Sequence, residues 1–376
     1  MTPPALTRRR ALLGSAAALL GPWPSRIVFA DDGSVVSATR PGTGPILLNG
    51  NENPYGPSPA ARRAILDSMG AAPRYAEESI EVLRRQIALH EGVDPAQVLV
   101  GSGSGELLRM AGLLAARTLA GGELVAARPT YEELPEFAER LGLTVRWVDV
   151  DAEHRHDLDA FLRAITSRTS LVYVCNPNNP TGTTVATDQL AAFVRAVPGP
   201  VTVVVDEAYV DFTDVPGRST AVGLLREAPN LVVLRTFSKL HGLAGLRVGY
   251  GIAPASLATR LGALSLVWPN STGIAAATAS LNDRGFLQAT RTAIVDDRTR
   301  VQGALDRLGR PRADSKGNFV FFDTGRPVAE FQECMLAQGL RVGRRFAGYD
   351  TWSRVTIGVR DEVDRFLAAL PGALKA

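Results

Sequence analysis

Seven short apolar runs, separated by longer stretches with helical periodicity, constrain the fold of this chain more than any other feature. The runs are Val98–Val100, Glu123–Ala127, Thr144–Val148, Ser170–Cys175, Val201–Asp206, Leu231–Thr236 and Arg247–Ile252. Such runs predict strands, and a near-continuous apolar run is typical of a strand buried on both faces. Their alternation with helices predicts an α/β domain with a mainly parallel seven-stranded sheet that helices cover on both sides.

The remainder of the chain predicts a second, smaller α/β unit. Helical periodicity over residues 272–282 and 285–308 is followed by a strand at 319–323, a helix at 327–338, a strand at 353–358 and a last helix from 361. A chain of 376 residues with 45% hydrophobic residues is long enough for a large domain with a satellite. We therefore predict a leader (1–30), an N-terminal arm with a substrate-side loop (31–70), a large domain (71–275) and a small domain (276–376).

The composition argues against several classes of partner. The formal net charge is only +3, and the basic residues are dispersed apart from an N-terminal cluster, so no nucleic-acid surface is predicted. The two cysteines, Cys175 and Cys334, make no disulfide framework, and no cluster of histidine and cysteine has zinc-ligand spacing. We expect no metal site, and Cys175 in its apolar run is predicted to be a buried small side chain.

The first thirty residues differ from everything after them. Arg8, Arg9 and Arg10 precede an apolar run over residues 11–20, and residues 28–30 (Val-Phe-Ala) form a small-residue cleavage pattern. The pattern resembles a twin-arginine signal peptide, and the run is shorter than the roughly 20 residues that span a bilayer. We predict a bacterial periplasmic protein with no stable membrane anchor. The alternative, a disordered basic tail or a misassigned start codon, leaves the protein in the cytoplasm.

The stretch from Thr236 to Tyr250 carries the most specific chemistry. Lys239 stands among small and apolar residues, where loss of solvation lowers the pKa of an amine and makes it a nucleophile toward carbonyls. Lys239 is therefore a candidate Schiff-base lysine. The hydroxyls of Thr236 and Ser238 and the guanidinium of Arg247 are suited to hold a phosphate.

Other polar motifs also follow predicted strands, where ligands bind in such sheets. Gly103, Ser104 and Gly105 open a helix after the first strand and predict an anion site at its N-terminus. Asp206 leaves a buried strand, and a carboxylate there is costly unless it meets a cation. The segment from Ile46 to Pro59 is so rich in Pro, Gly and Asn that we predict neither helix nor strand in it.

These motifs together resemble the fold-type I pyridoxal-phosphate aminotransferases, and among them most closely the histidinol-phosphate aminotransferases. The resemblance spans Ile46 to the C-terminus and rests on four motifs. They are Gly103-Ser104-Gly105, Asn176-Pro177-Asn178-Asn179-Pro180-Thr181-Gly182, Asp206-Glu207-Ala208-Tyr209, and Ser238-Lys239 with Gly242-Leu243-Ala244-Gly245-Leu246-Arg247. The resemblance implies an aspartate aminotransferase-like fold with pyridoxal 5'-phosphate (PLP) as the cofactor.

The resemblance also implies a role for each candidate residue. Lys239 binds the cofactor and acts as the base, Asp206 contacts the ring nitrogen, and Asn179 and Tyr209 contact the phenolic oxygen. Tyr131 stacks on the ring, unless it is only a tyrosine packed at a helix start. The residues implied to hold the phosphate are Gly103, Ser104, Gly105, Thr236, Ser238 and Arg247.

On the substrate side, the resemblance implies that Arg354 holds the α-carboxylate, with Asn179, Arg344 and Tyr55 as further candidates. It also implies a homodimer in which Tyr75 reaches the cofactor phosphate of the partner subunit; the alternative for Tyr75 is a half-buried loop tyrosine.

The function implied is the transfer of an amino group between an L-amino acid, or an amine like histidinol phosphate, and a 2-oxo acid. A PLP-dependent decarboxylase or lyase uses the same residues and is the nearest alternative. A noncatalytic exported ligand-binding protein predicts loss of Lys239, Asp206 or Arg247, and all three are present.

Overall fold

The structure is a computed structural model that describes residues 44–375, so the predicted leader lies outside the described residues. The strands in this part are β1 (Ile46–Leu48), β2 (Val98–Gly101), β3 (Glu123–Arg128), β4 (Thr144–Asp149), β5 (Thr169–Cys175), β6 (Thr202–Asp206), β7 (Leu231–Thr236), β8 (Gly249–Ile252), β9 (Phe319–Asp323), β10 (Leu340–Val342) and β11 (Trp352–Thr356).

The helices connect these strands along the chain. They are α1 (Pro59–Ser68), α2 (Glu77–Glu91), α3 (Ser104–Thr118), α4 (Glu133–Arg140), α5 (Leu158–Ala164), α6 (Thr187–Ala196), α7 (Ala255–Gly262), α8 (Ser271–Asn282), α9 (Arg284–Arg307), α10 (Val328–Ala337) and α11 (Arg360–Ala373). In the described part of the chain, no helix is both long and apolar enough to cross a membrane.

Strands β2 to β8 form one seven-stranded sheet in the order β2-β8-β7-β6-β5-β3-β4. All pairings are parallel except those of β8, which runs antiparallel to both β2 and β7. The predicted α/β class and all seven predicted strands are therefore confirmed. The last strand begins at Gly249 rather than Arg247, because Arg247 adopts a left-handed backbone conformation with φ 53°.

Helices bury both faces of this sheet. In β6, Val203 and Val205 pack into the core on one face, while Val204 packs into the core on the other face. All three side chains are fully buried, as expected when successive residues of a strand point to opposite sides. The sheet is therefore covered on both faces, and the polar residues that follow its strands lie at its edge.

A second core surrounds the strands of the C-terminal part. Strands β9 and β11 pair antiparallel, and helices α9, α10 and α11 pack beside them on a cluster that includes Phe319, Phe322, Phe331 and Phe366. The predicted boundaries of the domains stay predictions, since the cores do not define where each unit ends.

The structure of the segment from Ile46 to Pro59 contradicts the prediction that it contains no strand. Its first three residues form β1, which pairs parallel with β10 of the C-terminal part. The prediction of no strand was wrong there: Ile46–Leu48 are apolar, but the Pro-, Gly- and Asn-rich residues after them dominated the prediction, and the pairing partner lies almost 300 residues away. Residues 49–58 are irregular, the Ser58 hydroxyl caps α1, and Pro59 is already the first residue of this helix.

Candidate active site

One cavity brings together most of the predicted site residues. It lies where β5, β6 and β7 end, beside the N-terminus of α3, and residues of β11 and of the loop before it form its far wall. The lining residues are Gly50, Asn51, Ser104, Gly105, Thr130, Tyr131, Glu133, Cys175, Asn179, Asp206, Ala208, Tyr209, Thr236, Ser238, Lys239, Ala244, Arg247, Arg344, Phe346 and Arg354.

Lys239 lies in this cavity three residues after the end of β7. Its ammonium is 5.4 Å from the centroid of the Tyr209 ring. Burial and, to a smaller extent, the nearby Arg354 guanidinium lower the pKa of Lys239 to about 8, although Glu52 and Asp206 oppose the shift. An amine with this pKa is neutral in roughly one molecule in ten at pH 7, far more often than an ordinary lysine, and can attack a carbonyl carbon.

Asp206 is the last residue of β6 and is only 2% exposed. Its Oδ1 accepts the backbone N–H of Ala208 at 3.1 Å, and its Oδ2 accepts the hydroxyl of Tyr173 at 3.1 Å. Burial raises the pKa of Asp206 to about 6 in spite of these hydrogen bonds. A cationic N–H in the cavity would stabilise this carboxylate.

Tyr209 carries a hydroxyl between two amides. The side-chain amides of Asn51 and Asn179 donate to the Tyr209 oxygen at 3.1 and 3.4 Å. Burial raises the pKa of Tyr209, so the phenol is neutral at ordinary pH. Since its oxygen already accepts two hydrogen bonds, its own hydrogen is available to an oxygen bound in the cavity.

The start of α3 forms a tight backbone cradle against β8. Gly103 adopts φ 84°, and a Cβ added there would lie 2.5 Å from the Arg247 guanidinium. A Cβ added at Gly249 would lie 2.4 Å from the backbone nitrogen of Ser104. Glycine is therefore required at both positions, and the N-terminus of a 15-residue helix faces the cavity beside an arginine.

Side-chain donors complete this cradle. The Thr236 hydroxyl donates to Ser238 Oγ at 3.0 Å, and the backbone N–H of Ser238 donates to Thr236 at 3.1 Å. Arg247 Nη1 donates to the carbonyl of Ala244 at 2.9 Å, which fixes the guanidinium beside Gly103. A helix N-terminus, two hydroxyls and a guanidinium are the donor set that a phosphate group requires.

Arg354 reaches the cavity from β11 and is 8% exposed. Its Nη1 donates to Asn179 Oδ1 at 2.5 Å and its Nη2 to the carbonyl of Asn49 at 2.7 Å, while its Nε has no partner. Burial lowers the pKa of Arg354 to about 10. A buried guanidinium whose protein partners are neutral is suited to bind a carboxylate that enters with a ligand.

The outer wall combines aromatic rings with charged groups. Tyr131 is 37% exposed, and its hydroxyl donates to Glu133 at 2.7 Å. Arg344 forms an ion pair with Glu132 and lies 4.5 Å over the ring of Phe346. This wall offers a bound molecule an aromatic surface with a cation next to it.

Three predicted residues do not line the cavity. Gly103 lies directly behind it, where it leaves room for Arg247. Tyr55 is 7% exposed and packs in the C-terminal core, where burial and the nearby Asp297 raise its pKa to about 12. Tyr75 is 90% exposed and contacts the Trp268 ring edge-on at 6.1 Å, so its implied role needs a second copy of the chain.

The sequence prediction missed other lining residues. Asn51 belongs to the Pro- and Asn-rich loop from which only Tyr55 was singled out, and Phe346 is two residues beyond Arg344. Glu133 and Cys175 also line the cavity next to predicted residues. These residues could have been predicted from their closeness in sequence to the motifs. A loop that places one side chain in a site commonly places its neighbours there as well.

An aldehyde cofactor with a ring nitrogen, a phenolic oxygen and a phosphate fits these residues group by group. The glycine cradle excludes even a methyl group but presents backbone N–H donors, and Lys239 and Asp206 line the same cavity. The fold and the site therefore define a PLP-dependent enzyme of fold type I. Within this class, the chain belongs to the aminotransferase class I and II family, which matches residues 43–370.

Individual relatives agree with this assignment. A histidinol-phosphate aminotransferase of Rubrobacter xylanophilus is 38% identical over 89% of this chain and 94% of the relative. An aromatic amino acid aminotransferase of Rhodococcus opacus is 39% identical over 90% of this chain and 93% of the relative. The crystal structure of the histidinol-phosphate aminotransferase of Sinorhizobium meliloti in complex with PLP superposes with a TM-score of 0.80, at 27% identity, covering 88% of this chain and 91% of that chain.

The protein is accordingly a PLP-dependent aminotransferase, as the sequence predicted. The comparisons do not favour the decarboxylase or lyase alternative, because the similar proteins at 38–39% identity are aminotransferases. No group of three or more metal-ligating side chains occurs within residues 44–375.

Proposed function

We propose that the enzyme transfers the amino group of an L-amino acid to a 2-oxo acid, with Arg354 binding the α-carboxylate of both. The observation that carries this proposal is the Arg354 guanidinium, which is buried in the cavity wall, donates hydrogen bonds only to neutral oxygens and leaves its Nε without a hydrogen-bond partner. An amine without a carboxylate would leave this cation uncompensated. A substrate carboxylate compensates it through a planar bidentate pair.

The residues divide the work as follows. When bound, PLP would supply an electron sink for the charge left at the substrate Cα. Lys239 Nζ takes and returns the Cα proton, which its lowered pKa of about 8 permits. Asp206 would hold the ring nitrogen through its negative charge, and the Tyr209 hydroxyl and the Asn179 amide would hold the phenolic oxygen. The cradle beside Ser104 and Arg247 holds the phosphate.

The side chain of the donor meets the aromatic wall. Phe346 lines the cavity between the guanidinium groups of Arg344 and Arg354, which lie 4.5 and 5.4 Å from its ring centroid. An aromatic side chain can pack on Phe346 and Tyr131. We therefore propose aromatic L-amino acids as the preferred donors, in agreement with the R. opacus relative.

Histidinol phosphate is the second candidate donor. The observation that favours it is the cation of Arg344 at the cavity wall, which could bind a phosphate, together with the R. xylanophilus relative. The two candidates differ in a testable way, because histidinol phosphate has no α-carboxylate.

A spectral titration tests this proposal. The purified holoenzyme is mixed in turn with L-phenylalanine, L-tyrosine, L-tryptophan, L-aspartate and histidinol phosphate, and the visible absorption band of the cofactor is followed. We expect an aromatic amino acid to discharge the band at the lowest concentration and a 2-oxo acid to restore it. Discharge by histidinol phosphate alone would contradict the amino acid proposal, and Lys239→Ala serves as the control that cannot react.

We also propose that the enzyme is a homodimer. Tyr75, Leu266, Val267 and Trp268 are 55–90% exposed in the single chain, although all four are large apolar side chains. Glu106 holds the loop at residues 265–267 by accepting one hydroxyl and two backbone N–H groups, so this surface is ordered. A second copy that covers it would also bring Tyr75 toward a neighbouring cavity, as the family resemblance implies.

Sedimentation and cofactor retention test the dimer together. Trp268→Glu places a charge on this surface and should shift the protein from dimer to monomer. Tyr75→Phe should leave the dimer intact but weaken cofactor retention. A wild-type protein that sediments as a monomer with bound PLP would contradict the proposal.

Finally, we propose export through the twin-arginine route, on the basis of Arg8, Arg9 and the apolar run after them. This route carries folded proteins, which suits an enzyme that acquires its cofactor in the cytosol. Fractionation of a Gram-negative host that expresses the full chain should place the enzyme in the periplasm. The substitution of Arg8 and Arg9 by lysine should retain it in the cytoplasm, and unchanged fractionation of this variant would contradict the proposal.

A further inference from the structure

Asp206 has an unusual environment for a carboxylate that must remain charged. It is 2% exposed, and no arginine or lysine within residues 44–375 lies at ion-pair distance from it. Its two oxygens accept one hydrogen bond each, from the backbone of Ala208 and from the hydroxyl of Tyr173. The Tyr173 hydroxyl is therefore the side-chain donor that holds this carboxylate.

Tyr173 is placed by the sheet itself. It lies in β5, next to β6, and the register pairs Tyr173 with Val204 and Cys175 with Asp206. Tyr173 and Asp206 consequently project from the same face of the sheet, in the core beneath α3. The ring is fully buried, and the O–O distance to Asp206 Oδ2 is 3.1 Å.

Other titratable groups around Asp206 cannot replace this donor. The groups that interact with it electrostatically are Cys175, Glu133, Tyr131, Tyr209 and Lys239. Glu133 is acidic and raises the pKa of Asp206, and only Lys239 among them carries a positive charge. Burial holds the pKa of Tyr173 well above its ordinary value, so Tyr173 is a permanent neutral donor.

We propose that Tyr173 is a positioning residue, which acts through Asp206 to keep the proton on the ring nitrogen of the cofactor. A hydrogen bond to the ionised carboxylate stabilises its charged form. Without the Tyr173 hydroxyl, Asp206 becomes more basic, and the proton it shares with the ring nitrogen moves toward the carboxylate. This inference rests on the proposed function, since it requires PLP with its ring nitrogen at Asp206.

The test uses Tyr173→Phe holoenzyme reconstituted with PLP labelled with ¹⁵N in the ring. The ¹⁵N chemical shift reports protonation of the ring nitrogen directly, independently of turnover. We expect the ratio of protonated to neutral nitrogen at pH 7.5 to fall about tenfold, the equivalent of one pKa unit. The kcat should fall by a similar factor, while KM for the amino donor stays within about twofold because Tyr173 does not line the cavity.

Tyr250→Phe is the matched control. Tyr250 is also buried in the sheet, and its hydroxyl donates at 2.6 Å to a carboxylate, Glu91, outside the cavity. Its loss should leave the ¹⁵N shift and kcat unchanged. If Tyr173→Phe does not fold, the test uses 3-fluorotyrosine at position 173. This residue has a similar shape but is a stronger hydrogen-bond donor, so it should move the ¹⁵N shift toward that of the protonated ring nitrogen.

The possible outcomes distinguish a failure of the proposed function from a failure of the role inferred for Tyr173. A protein that binds no PLP overturns both the proposed function and this inference. A holoenzyme in which neither Tyr173→Phe nor fluorotyrosine changes the ¹⁵N shift overturns the inference alone. Opposite shifts in the two variants, with no shift in Tyr250→Phe, support it.

Discussion

Replacement of Arg354 by methionine separates the roles of this residue in binding and in folding. Methionine fills much of the same volume but cannot hold a carboxylate. A charge-assisted hydrogen bond contributes about 1.5–3 kcal/mol, so loss of a bidentate pair with the substrate costs roughly 3–5 kcal/mol. At about 1.4 kcal/mol per factor of ten, kcat/KM for an L-amino acid should fall by roughly 10²–10⁴.

The same substitution should not destabilise the protein without its ligands. Arg354 is buried with neutral partners, the carbonyl oxygens of Asn179 and Asn49, so the apoenzyme holds a cation that no carboxylate compensates at close range. Removal of a buried, uncompensated charge leaves the stability of the folded protein unchanged or raises it. We therefore expect the free energy of unfolding of the apoenzyme, measured with urea, to stay the same or to rise.

Steady-state kinetics with two donors complete the assay. The kcat/KM for an amine that lacks the α-carboxylate should change by less than about tenfold in Arg354→Met, far less than for the amino acid. Arg354→Lys keeps the charge but not the planar fork, so its loss should be intermediate. Equal losses for both donors, or a large loss of stability, would refute a carboxylate-binding role.

Three further substitutions probe the cradle, the site carboxylate and a buried ion pair. Gly249→Ala should weaken PLP binding at least tenfold, since its Cβ would lie 2.4 Å from the Ser104 nitrogen; equilibrium dialysis measures this. In the apoenzyme, the raised pKa of Asp206 means that its ionisation opposes folding as pH rises from about 4 to about 6. Asp206→Asn should therefore be more stable than wild type by roughly 2–3 kcal/mol at pH 7 to 8, and the gain should vanish below about pH 4 in urea titrations. Arg235→Met should cost about 3–5 kcal/mol in thermal or urea unfolding, because the fully buried Glu207 carboxylate, now 2.9 Å from Arg235 Nε, loses its cation.

The sequence predicted the sheet well because its strands are defined by local patterns. Val203, Val204 and Val205 form a continuous β-branched apolar run before Asp206, and such a short run is typical of a strand buried on both faces. Strand β1 was missed for the opposite reason. Residues Ile46–Leu48 are apolar, but the Pro-, Gly- and Asn-rich sequence after them predicts a loop, and their pairing with Leu340–Val342 is seen only in three dimensions.

The residues of the site likewise fall into those that local motifs predict and those that only the fold brings together. Lys239, Asp206, Asn179 and Tyr209 belong to sequence motifs, and the structure places all four in one cavity. The hydrogen bond from Tyr173 to Asp206 joins two strands and depends on their register. Likewise, the contact between Asn51 and Tyr209 bridges 158 positions, so it could be found only in three dimensions.

The central claim is that Lys239 forms the covalent bond to the cofactor, and reductive trapping tests it most directly. The chain contains three lysines, Lys239, Lys316 and Lys375, so only these three side chains can carry the reduced cofactor. Lys316 is paired with Asp214 and Asp314 at the surface, away from the cavity. After borohydride reduction of the holoenzyme and proteolysis, mass spectrometry should find the cofactor on the peptide with Lys239. A label on Lys316 or Lys375, or no label at all, would contradict the account.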